Sequence, residues 1–196
     1  VYITRQDLFD VAFLTSIPGM TLFSPCCYEE LKICLSEALY DIDGVVGIRY
    51  PRGNDSSSFD KSELNTNFLY KNNGSDTLLI TYGRIYNELI KAEELLKDNN
   101  VVCDTLKLTK IFPLSEKVID LIKNYENVFI FEEGIKNGGI SEHIASILAE
   151  NEFKGKIKIK AVEGFVKQSS VESALRKNGL TSDKMYDFIF EVLSNG

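Results

Sequence analysis

The residue whose setting most suggests chemistry is Arg52, which stands between Pro51 and Gly53 directly after the apolar run 45–48. Pro51 ends a helix or a central strand and Gly53 lets the backbone turn, so the sequence predicts Arg52 at the tip of a β-strand. Open α/β sheets bind ligands at such tips, and a planar, permanently charged guanidinium suits a phosphate or a carboxylate. A plain salt bridge to a neighbouring loop would use the same position, so the pattern alone leaves both roles open.

Three further side chains could carry out acid–base chemistry: His143, Glu132 and Glu133. His143 is expected in the first turn of a helix without a nearby Ser or Cys nucleophile motif, which is typical of a histidine on a helix surface. Glu132 and Glu133 follow an apolar strand, and neighbouring strand residues point to opposite faces, so the two carboxylates cannot act on one atom. We therefore expect one of them to anchor a loop or a partner subunit.

The glycine-rich segment 134–139 comes just before a predicted helix, a place where backbone N–H groups can bind anions. Its glycines lack the spacing of a dinucleotide-binding motif, and the chain has no phosphate-loop lysine motif. We favour a close-packed or flexible loop over an anion site.

The net charge and the cysteines of the chain limit the ligands and the cellular setting that the sequence favours. The net charge of −7 argues against a nucleic-acid-binding surface. No apolar run is long enough to cross a membrane, and no amino-terminal segment resembles a signal peptide. The four cysteines, Cys26, Cys27, Cys34 and Cys103, lack metal-ligand spacing, so we expect no zinc site and a reducing, cytoplasmic setting. Cys34 and Cys103 lie in apolar patterns and are expected to be buried free thiols.

The elements before residue 76 predict only part of a fold. Strands are expected at 20–24 and 45–50, joined by a helix over 28–40 whose apolar residues recur at helical spacing. This β-α-β unit is too small to bury a core alone. Residues 54–75 are polar, rich in Asn, Ser and Asp, and are expected to form an extended linker on the surface.

Residues 76–196 alternate strands and helices more regularly. Strands are expected at 77–82, 101–108, 128–131 and 157–162, the third followed by a loop at 132–134. Helices are expected at 84–98, after caps at Ser115 and Ser141, and twice near the end, where Ser169 and Glu172 form a capping-box pattern. Lysines alternate with apolar residues over 154–160, as in an edge strand. This order predicts a three-layer αβα fold with a mainly parallel sheet.

A set of ordered segments carries a resemblance to a known family: residues 9–14 (Phe-Asp-Val-Ala-Phe-Leu), 17–20 (Ile-Pro-Gly-Met), 24–25 (Ser-Pro), 47–53 (Gly-Ile-Arg-Tyr-Pro-Arg-Gly), 111–114 (Ile-Phe-Pro-Leu) and 131–134 (Phe-Glu-Glu-Gly). From about Phe9 to its end, the chain resembles the carboxyl-terminal third of the 1-deoxy-D-xylulose-5-phosphate synthase family. These are thiamine-diphosphate enzymes of the transketolase group.

The resemblance implies an organisation and an activity. Residues 1–53 would end a pyrimidine-binding domain, 54–75 would link, and 76–196 would form a transketolase C-terminal domain. The family decarboxylates pyruvate on its cofactor and joins the two-carbon unit to glyceraldehyde 3-phosphate, which feeds isoprenoid, thiamine and pyridoxal synthesis. The resemblance also implies thiamine diphosphate, magnesium and a homodimer in the full enzyme, and it matches Arg52 to the arginine that holds the substrate phosphate.

The chain departs from the family at the residues that line its active site. Where the family has Thr-His-x-Gly-x-Phe-Asp, Arg5 stands at the histidine and Asp7 at the glycine, and Val1 replaces an aspartate four residues before the histidine. Arginine does not shuttle protons at neutral pH, so no complete catalytic set is present. The Gly-Asp-Gly run with its metal-binding Asn and the glutamate that activates the pyrimidine are missing, so we expect the chain alone to bind no cofactor and to be inactive.

Two explanations fit these departures: a fragment whose first residues are foreign or mis-joined, or a paralogue that has lost catalysis. The otherwise intact pattern favours a fragment that acts only within the full chain. A different class of function is a non-catalytic transketolase-like dimerisation or interaction module. A protein like the beta subunit of a 2-oxo-acid dehydrogenase, or a split transketolase half, fits less well because a substrate without phosphate has less need of Arg52.

Overall fold

The computed structural model describes residues 8–50, 62–164 and 170–195. Its strands are β1 (Met20–Phe23), β2 (Val45–Ile48), β3 (Phe68–Lys71), β4 (Thr77–Tyr82), β5 (Asp104–Leu108), β6 (Lys110–Phe112), β7 (Asn127–Ile135) and β8 (Lys156–Val162). Its helices are α1 (Asp10–Leu14), α2 (Tyr28–Tyr40), α3 (Tyr86–Asp98), α4 (Glu116–Ile122), α5 (Ile140–Glu150), α6 (Val171–Lys177) and α7 (Ser182–Ser194), and a 3-10 turn (Gly83–Ile85) precedes α3.

A five-stranded sheet in the order β3-β5-β4-β7-β8 organises the carboxyl-terminal part, residues 62–195. Strand β4 pairs in parallel with β5 and β7, and β7 pairs in parallel with β8. Strand β3 runs antiparallel along β5. Parallel neighbours need a crossover connection, and helices α3, α4 and α5 occupy those connections. The mainly parallel sheet is therefore confirmed, with the lysine-rich strand β8 at its edge as predicted.

Apolar cores cover both faces of this sheet. Leu78 and Ile80 of β4 belong to the core that includes α4 and α5, whereas Leu79 belongs to the core that includes α3 and α7. Because side chains alternate across a strand, this division places helices on both faces. The predicted three-layer αβα arrangement is confirmed.

The amino-terminal segment, residues 8–50, shares a second sheet with the carboxyl-terminal part. This three-stranded sheet has the order β2-β1-β6, with β1 parallel to β2 and antiparallel to β6. Leu22 of β1 and Ile111 of β6 are both fully buried in one core. The predicted β-α-β unit thus gains its third strand from beyond residue 76.

Several predicted strand boundaries were wrong. Residues 68–71 lie in the expected linker, but they form β3. Phe68 and Tyr70 of this strand pack against the core that includes α4 and α5. Strand β7 does not end at Phe131 but continues to Ile135, and the expected loop at 132–134 is part of it. Residues 101–103, expected in a strand, precede β5.

One predicted helix cap was also wrong, and a second lies outside the described residues. Helix α5 begins after Gly139, so Ser141 lies inside its first turn. Helix α6 begins after Ser170, whose hydroxyl accepts a hydrogen bond from the Ser173 amide at 3.3 Å, and the expected capping Ser169 lies outside the described residues. Ser115 does occupy the N-cap position of α4, although its side chain makes no capping hydrogen bond.

Candidate functional site

The two arginines singled out by the sequence, Arg52 and Arg5, lie outside the described residues. Their roles therefore remain predictions. The structure describes the strand that leads to Arg52: β2 ends at Ile48, and the next amide, that of Arg49, donates to the carbonyl oxygen of Phe23 at 2.8 Å. The predicted strand ends two residues early, and a polar cluster begins at that point.

Arg49 is the centre of this cluster. Its Nε donates to Oδ2 of Asp10 at 2.9 Å, and its Nη2 donates to the carbonyl oxygen of Glu133 at 2.8 Å. Burial alone would lower the pKa of Arg49, but its acidic neighbours, Tyr82 first and then the two carboxylates, raise it above the ordinary value. The guanidinium is therefore charged, and it joins α1, the end of β2 and β7.

The side chain of Glu133 contacts a second arginine. Nε of Arg84 donates to Oε2 of Glu133 at 2.8 Å, and its Nη2 donates to Oε1 of the same carboxylate. Arg84 lies in the 3-10 turn after β4. This two-pronged contact holds the residue whose carbonyl accepts from Arg49.

Glu132, on the opposite face of β7, is completely buried and caps helix α5. Its carboxylate accepts from the amides of Ile140 and Ser141, both at 2.9 Å, from the Ser141 hydroxyl, and from the Tyr82 hydroxyl at 2.7 Å. A carboxylate is favourable at a helix N-terminus because it satisfies free amides and opposes the helix dipole. Burial, followed by the charge of Glu132, raises the pKa of Tyr82. We expected only one of the two glutamates to anchor a loop or a partner subunit, but both carboxylates are paired within the chain, Glu132 with the start of α5 and Glu133 with Arg84.

The glycine-rich segment is close-packed, as we favoured. A Cβ on Gly139 would lie 2.5 Å from the carbonyl oxygen of Ile135 and 2.6 Å from Oε1 of Glu132. The first amides of α5 already donate to Glu132, so they are not available to an outside anion. His143 lies in the same helix, half-buried, with its ring 5.5 Å from that of Phe112. It is thus packed against an aromatic neighbour rather than simply exposed.

A second buried charged cluster was missed from the sequence. Lys107 of β5 and Glu30 of α2 form an ion pair in which both side chains are fully buried. Glu30 also accepts from the Thr109 hydroxyl at 2.7 Å and from the Cys26 amide at 2.8 Å. The signal in the sequence was a lysine inside an apolar strand pattern, but nothing in the pattern named its partner 77 positions away.

All four cysteines are free and buried, which confirms the prediction for Cys34 and Cys103. Burial raises the pKa of Cys34 and Cys103, each to about 12, and for Cys26 the contact with Cys27 raises the pKa most, ahead of burial. These thiols are protonated at neutral pH, so they are poor nucleophiles.

Within residues 8–50, 62–164 and 170–195, no group of three or more His, Cys, Asp or Glu side chains could hold a metal ion. The described residues therefore offer a magnesium ion no cluster of this kind. The sequence likewise has no Gly-Asp-Gly run to hold the diphosphate of a cofactor. In the same ranges, no helix has both the length and the apolar character that a bilayer crossing requires.

The family can be assigned from comparison with known proteins. The family model described as transketolase, C-terminal domain, matches residues 67–185. The chain belongs to this family. The match begins at the residue before β3 and extends into α7, so it includes the whole five-stranded sheet.

Curated relatives of this transketolase-family chain are named 1-deoxy-D-xylulose-5-phosphate synthase. The protein of Crocosphaera subtropica is 26% identical over 205 residues, which cover 98% of this chain and 31% of the relative. The protein of Helicobacter pylori (strain G27) is 28% identical over 196 residues, which cover 97% of this chain and 32% of the relative. The chain thus spans about a third of the length of these relatives, and the resemblance to their carboxyl-terminal part is confirmed.

A solved structure shares the fold. It is described as a split gene transketolase, inactive beta4 tetramer, and it matches with a TM-score of 0.78 and 19% sequence identity. The match covers 95% of this chain and 62% of that one, so it includes the amino-terminal segment as well as the family domain.

Proposed function

We propose that this chain is the carboxyl-terminal part of a 1-deoxy-D-xylulose-5-phosphate synthase. In that role it contributes to joining pyruvate and glyceraldehyde 3-phosphate, with loss of carbon dioxide, only within a longer polypeptide. The observation that carries the proposal is the similarity to synthases over 97% of this chain. Because the chain spans only 32% of that relative, the remaining functions belong to sequence that this chain does not contain.

The surface of the amino-terminal segment supports a longer polypeptide. Large apolar side chains are exposed on α1 and α2 and at the start of β2, among them Phe13, Leu39 (71% exposed), Tyr40 (82% exposed) and Val45. Exposed apolar surface of this amount favours contact with another part of a protein. We propose that this surface contacts the preceding part of the synthase. We also propose that the pyrimidine-binding domain ends at residue 53 and that the C-terminal domain consists of residues 76–196 together with β3.

The contribution of this chain is binding and orientation. Arg52 would grip the phosphate of glyceraldehyde 3-phosphate through its guanidinium fork and so orient the aldehyde for attack. Thiamine diphosphate, with its magnesium, would supply the activated two-carbon group from elsewhere in the synthase, since this sequence has no Gly-Asp-Gly run for the diphosphate and the described residues hold no metal-binding group of three or more His, Cys, Asp or Glu side chains. The proposal includes a homodimeric, cytoplasmic enzyme that supplies precursors of isoprenoids, thiamine and pyridoxal.

The test is a steady-state comparison in the full-length polypeptide. Arg52→Ala should raise the KM for glyceraldehyde 3-phosphate on the order of a hundredfold and change the KM for pyruvate by less than about twofold, because only the first substrate carries a phosphate. Arg52→Lys should give an intermediate KM, because it keeps the charge and loses the fork. Arg176→Ala, an exposed arginine paired with Asp183, is the control that should change neither constant.

Equal effects of Arg52→Ala on the two substrates would contradict phosphate binding. A second candidate function, a non-catalytic interaction module, is favoured by one observation: Arg5 stands where the family has its active-site histidine. That candidate predicts a folded, associating full-length protein that releases no carbon dioxide from pyruvate.

A further inference from the structure

We propose that Arg49 is a positioning residue that ties α1 and the end of β2 to the carboxyl end of β7. We call its contacts with Asp10 and with the carbonyl oxygen of Glu133 the Arg49 clamp. One part of this inference rests on the proposed function: Arg52 lies three residues further along the chain, so the clamp would support binding of the substrate phosphate.

The clamp uses two prongs of one planar group. Nε reaches Asp10 at 2.9 Å and Nη2 reaches the carbonyl oxygen of Glu133 at 2.8 Å, and these partners belong to different elements. A guanidinium holds two donors in a fixed relative orientation, whereas lysine presents a single nitrogen. The geometry therefore requires the two donors of an arginine, and a positive charge alone would not make both contacts.

The strand side of the clamp is itself held in place. The carboxylate of Glu133 is bound by both prongs of Arg84, so the carbonyl that accepts from Arg49 belongs to a residue fixed at its other end. Glu132, the preceding residue, is buried and caps α5. The clamp thus attaches α1 to a rigid point of the five-stranded sheet.

Contacts beside the clamp bring the same two elements together. The amide of Ile135, at the end of β7, donates to the carbonyl oxygen of Leu8 at 2.7 Å. The Cβ of Ala12 in α1 lies 3.3 Å from the position that a Cβ on Gly138 would occupy. Helix α1 is only five residues long, with Val11 buried in the core and Leu14 partly buried against it. The polar contacts therefore add to a small apolar contact in holding α1.

Burial decides how strongly the clamp acts. The side chains of Arg49 and Asp10 are 17% and 24% exposed, whereas the surface pair of Arg176 and Asp183 is 61% and 44% exposed. Exposed pairs contribute little, but a charged hydrogen bond removed from a buried setting leaves its partner poorly solvated. Loss of Arg49 should therefore release α1, and loss of Arg176 should release nothing.

Amide hydrogen exchange in the 196-residue chain tests the clamp without any assay of activity. Arg49→Met should make exchange in residues 8–16 about tenfold faster and leave α7 (Ser182–Ser194) unchanged, since the opening is local. Arg176→Met should change neither region. Unchanged exchange in residues 8–16, or an equal rise in α7, would overturn the proposal.

A double-mutant comparison separates the clamp from general weakening. Asp10→Asn alone should speed exchange in residues 8–16, but it should add almost nothing when Arg49 is already Met, because the substitution removes the carboxylate that pairs with Arg49 while an Asn oxygen can still accept from the Val11 amide. Additive effects of the two changes would contradict the clamp.

The link to phosphate binding is tested in the full-length polypeptide. Arg49→Lys should raise the KM for glyceraldehyde 3-phosphate several-fold, with kcat and the KM for pyruvate changed much less, as expected for a residue that acts through Arg52. An unchanged KM for glyceraldehyde 3-phosphate would overturn this link. If Arg52→Ala itself shows no preference between substrates, the proposed function fails, and the exchange experiment still decides whether the clamp exists.

Discussion

At the scale of single residues, Glu132 links two neighbouring elements through one carboxylate. It accepts from the amides at the start of α5 and from Tyr82 at the end of β4. Every group that touches this carboxylate is a hydrogen-bond donor, and an ionised carboxylate can only accept. A neutral amide of the same shape would turn an N–H toward at least one of these donors.

Glu132→Gln should therefore destabilise the fold by roughly 2–3 kcal/mol, measured as the free energy of unfolding in urea. The matched control is Glu142→Gln in α5, the helix that Glu132 caps, since Glu142 is exposed and accepts from the Gly138 amide at 2.9 Å. This control should cost less than about 0.5 kcal/mol. Equal losses for the two variants would show that the buried carboxylate has no special role.

Glu132 and Glu133 show which features of the site the sequence could predict and which it could not. The alternation of side chains along a strand correctly separated the roles of Glu132 and Glu133. Their donors, Tyr82 and Arg84, could not be named because they lie about fifty positions away in sequence. The ion pair of Lys107 with Glu30 was missed for a related reason: a local pattern marks a charge as polar but does not reveal a distant partner that allows its burial.

At the scale of elements, the same limit explains the wrong end of β7. Two consecutive glutamates and a glycine are typical of a loop, yet here both carboxylates are paired, so the strand continues to Ile135. The register with β8 shifts between Phe131 and Ile135, which accommodates the polar stretch within the sheet. Strand β4, which carries no charged residue, matched the prediction at both ends.

The start of β5 is tied to its neighbours by Asp104, which is buried. The carboxylate accepts from the amides of Asn73 and Ser75 at 2.8 and 3.1 Å and from the hydroxyls of Tyr125 and Tyr70. Burial works to raise the pKa of Asp104, but these hydrogen bonds, with that of Tyr125 the strongest, lower it below the ordinary value. The ionised form is thus favoured in the folded state.

A lowered pKa has a definite consequence for acid stability. The contribution of Asp104 should be complete above its unfolded pKa of about 3.9 and should be lost as the pH falls through the lower folded value. The difference in unfolding free energy between wild type and Asp104→Asn should therefore be constant from pH 7 to about pH 5 and shrink below about pH 4. The exposed Asp120→Asn is the control. A difference that grows in acid would contradict the assignment.

At the scale of the whole molecule, the amino-terminal segment and the family domain are built into each other. Strand β6 completes the sheet of β1 and β2, Glu30 reaches Lys107, and Arg49 reaches β7. The domain boundary expected between residues 54 and 75 therefore separates two sequence regions that share buried contacts. Composition alone marks such a boundary by its polarity and does not reveal contacts that cross it.

Two observations support the proposal that the chain works within a larger polypeptide. Helices α1 and α2 expose large apolar side chains, and the curated relatives are about three times as long as this chain. The chain supplies a family fold, a clamp between its two regions and a candidate phosphate-binding arginine. The cofactor site would come from the rest of that polypeptide.

The most direct test is to assay the full-length polypeptide that contains this chain. Supplied with thiamine diphosphate and magnesium, it should release carbon dioxide from pyruvate and form 1-deoxy-D-xylulose 5-phosphate when glyceraldehyde 3-phosphate is present, while the 196-residue chain alone should do neither. A folded full-length protein that binds the cofactor and yet forms no such product would contradict the proposed function.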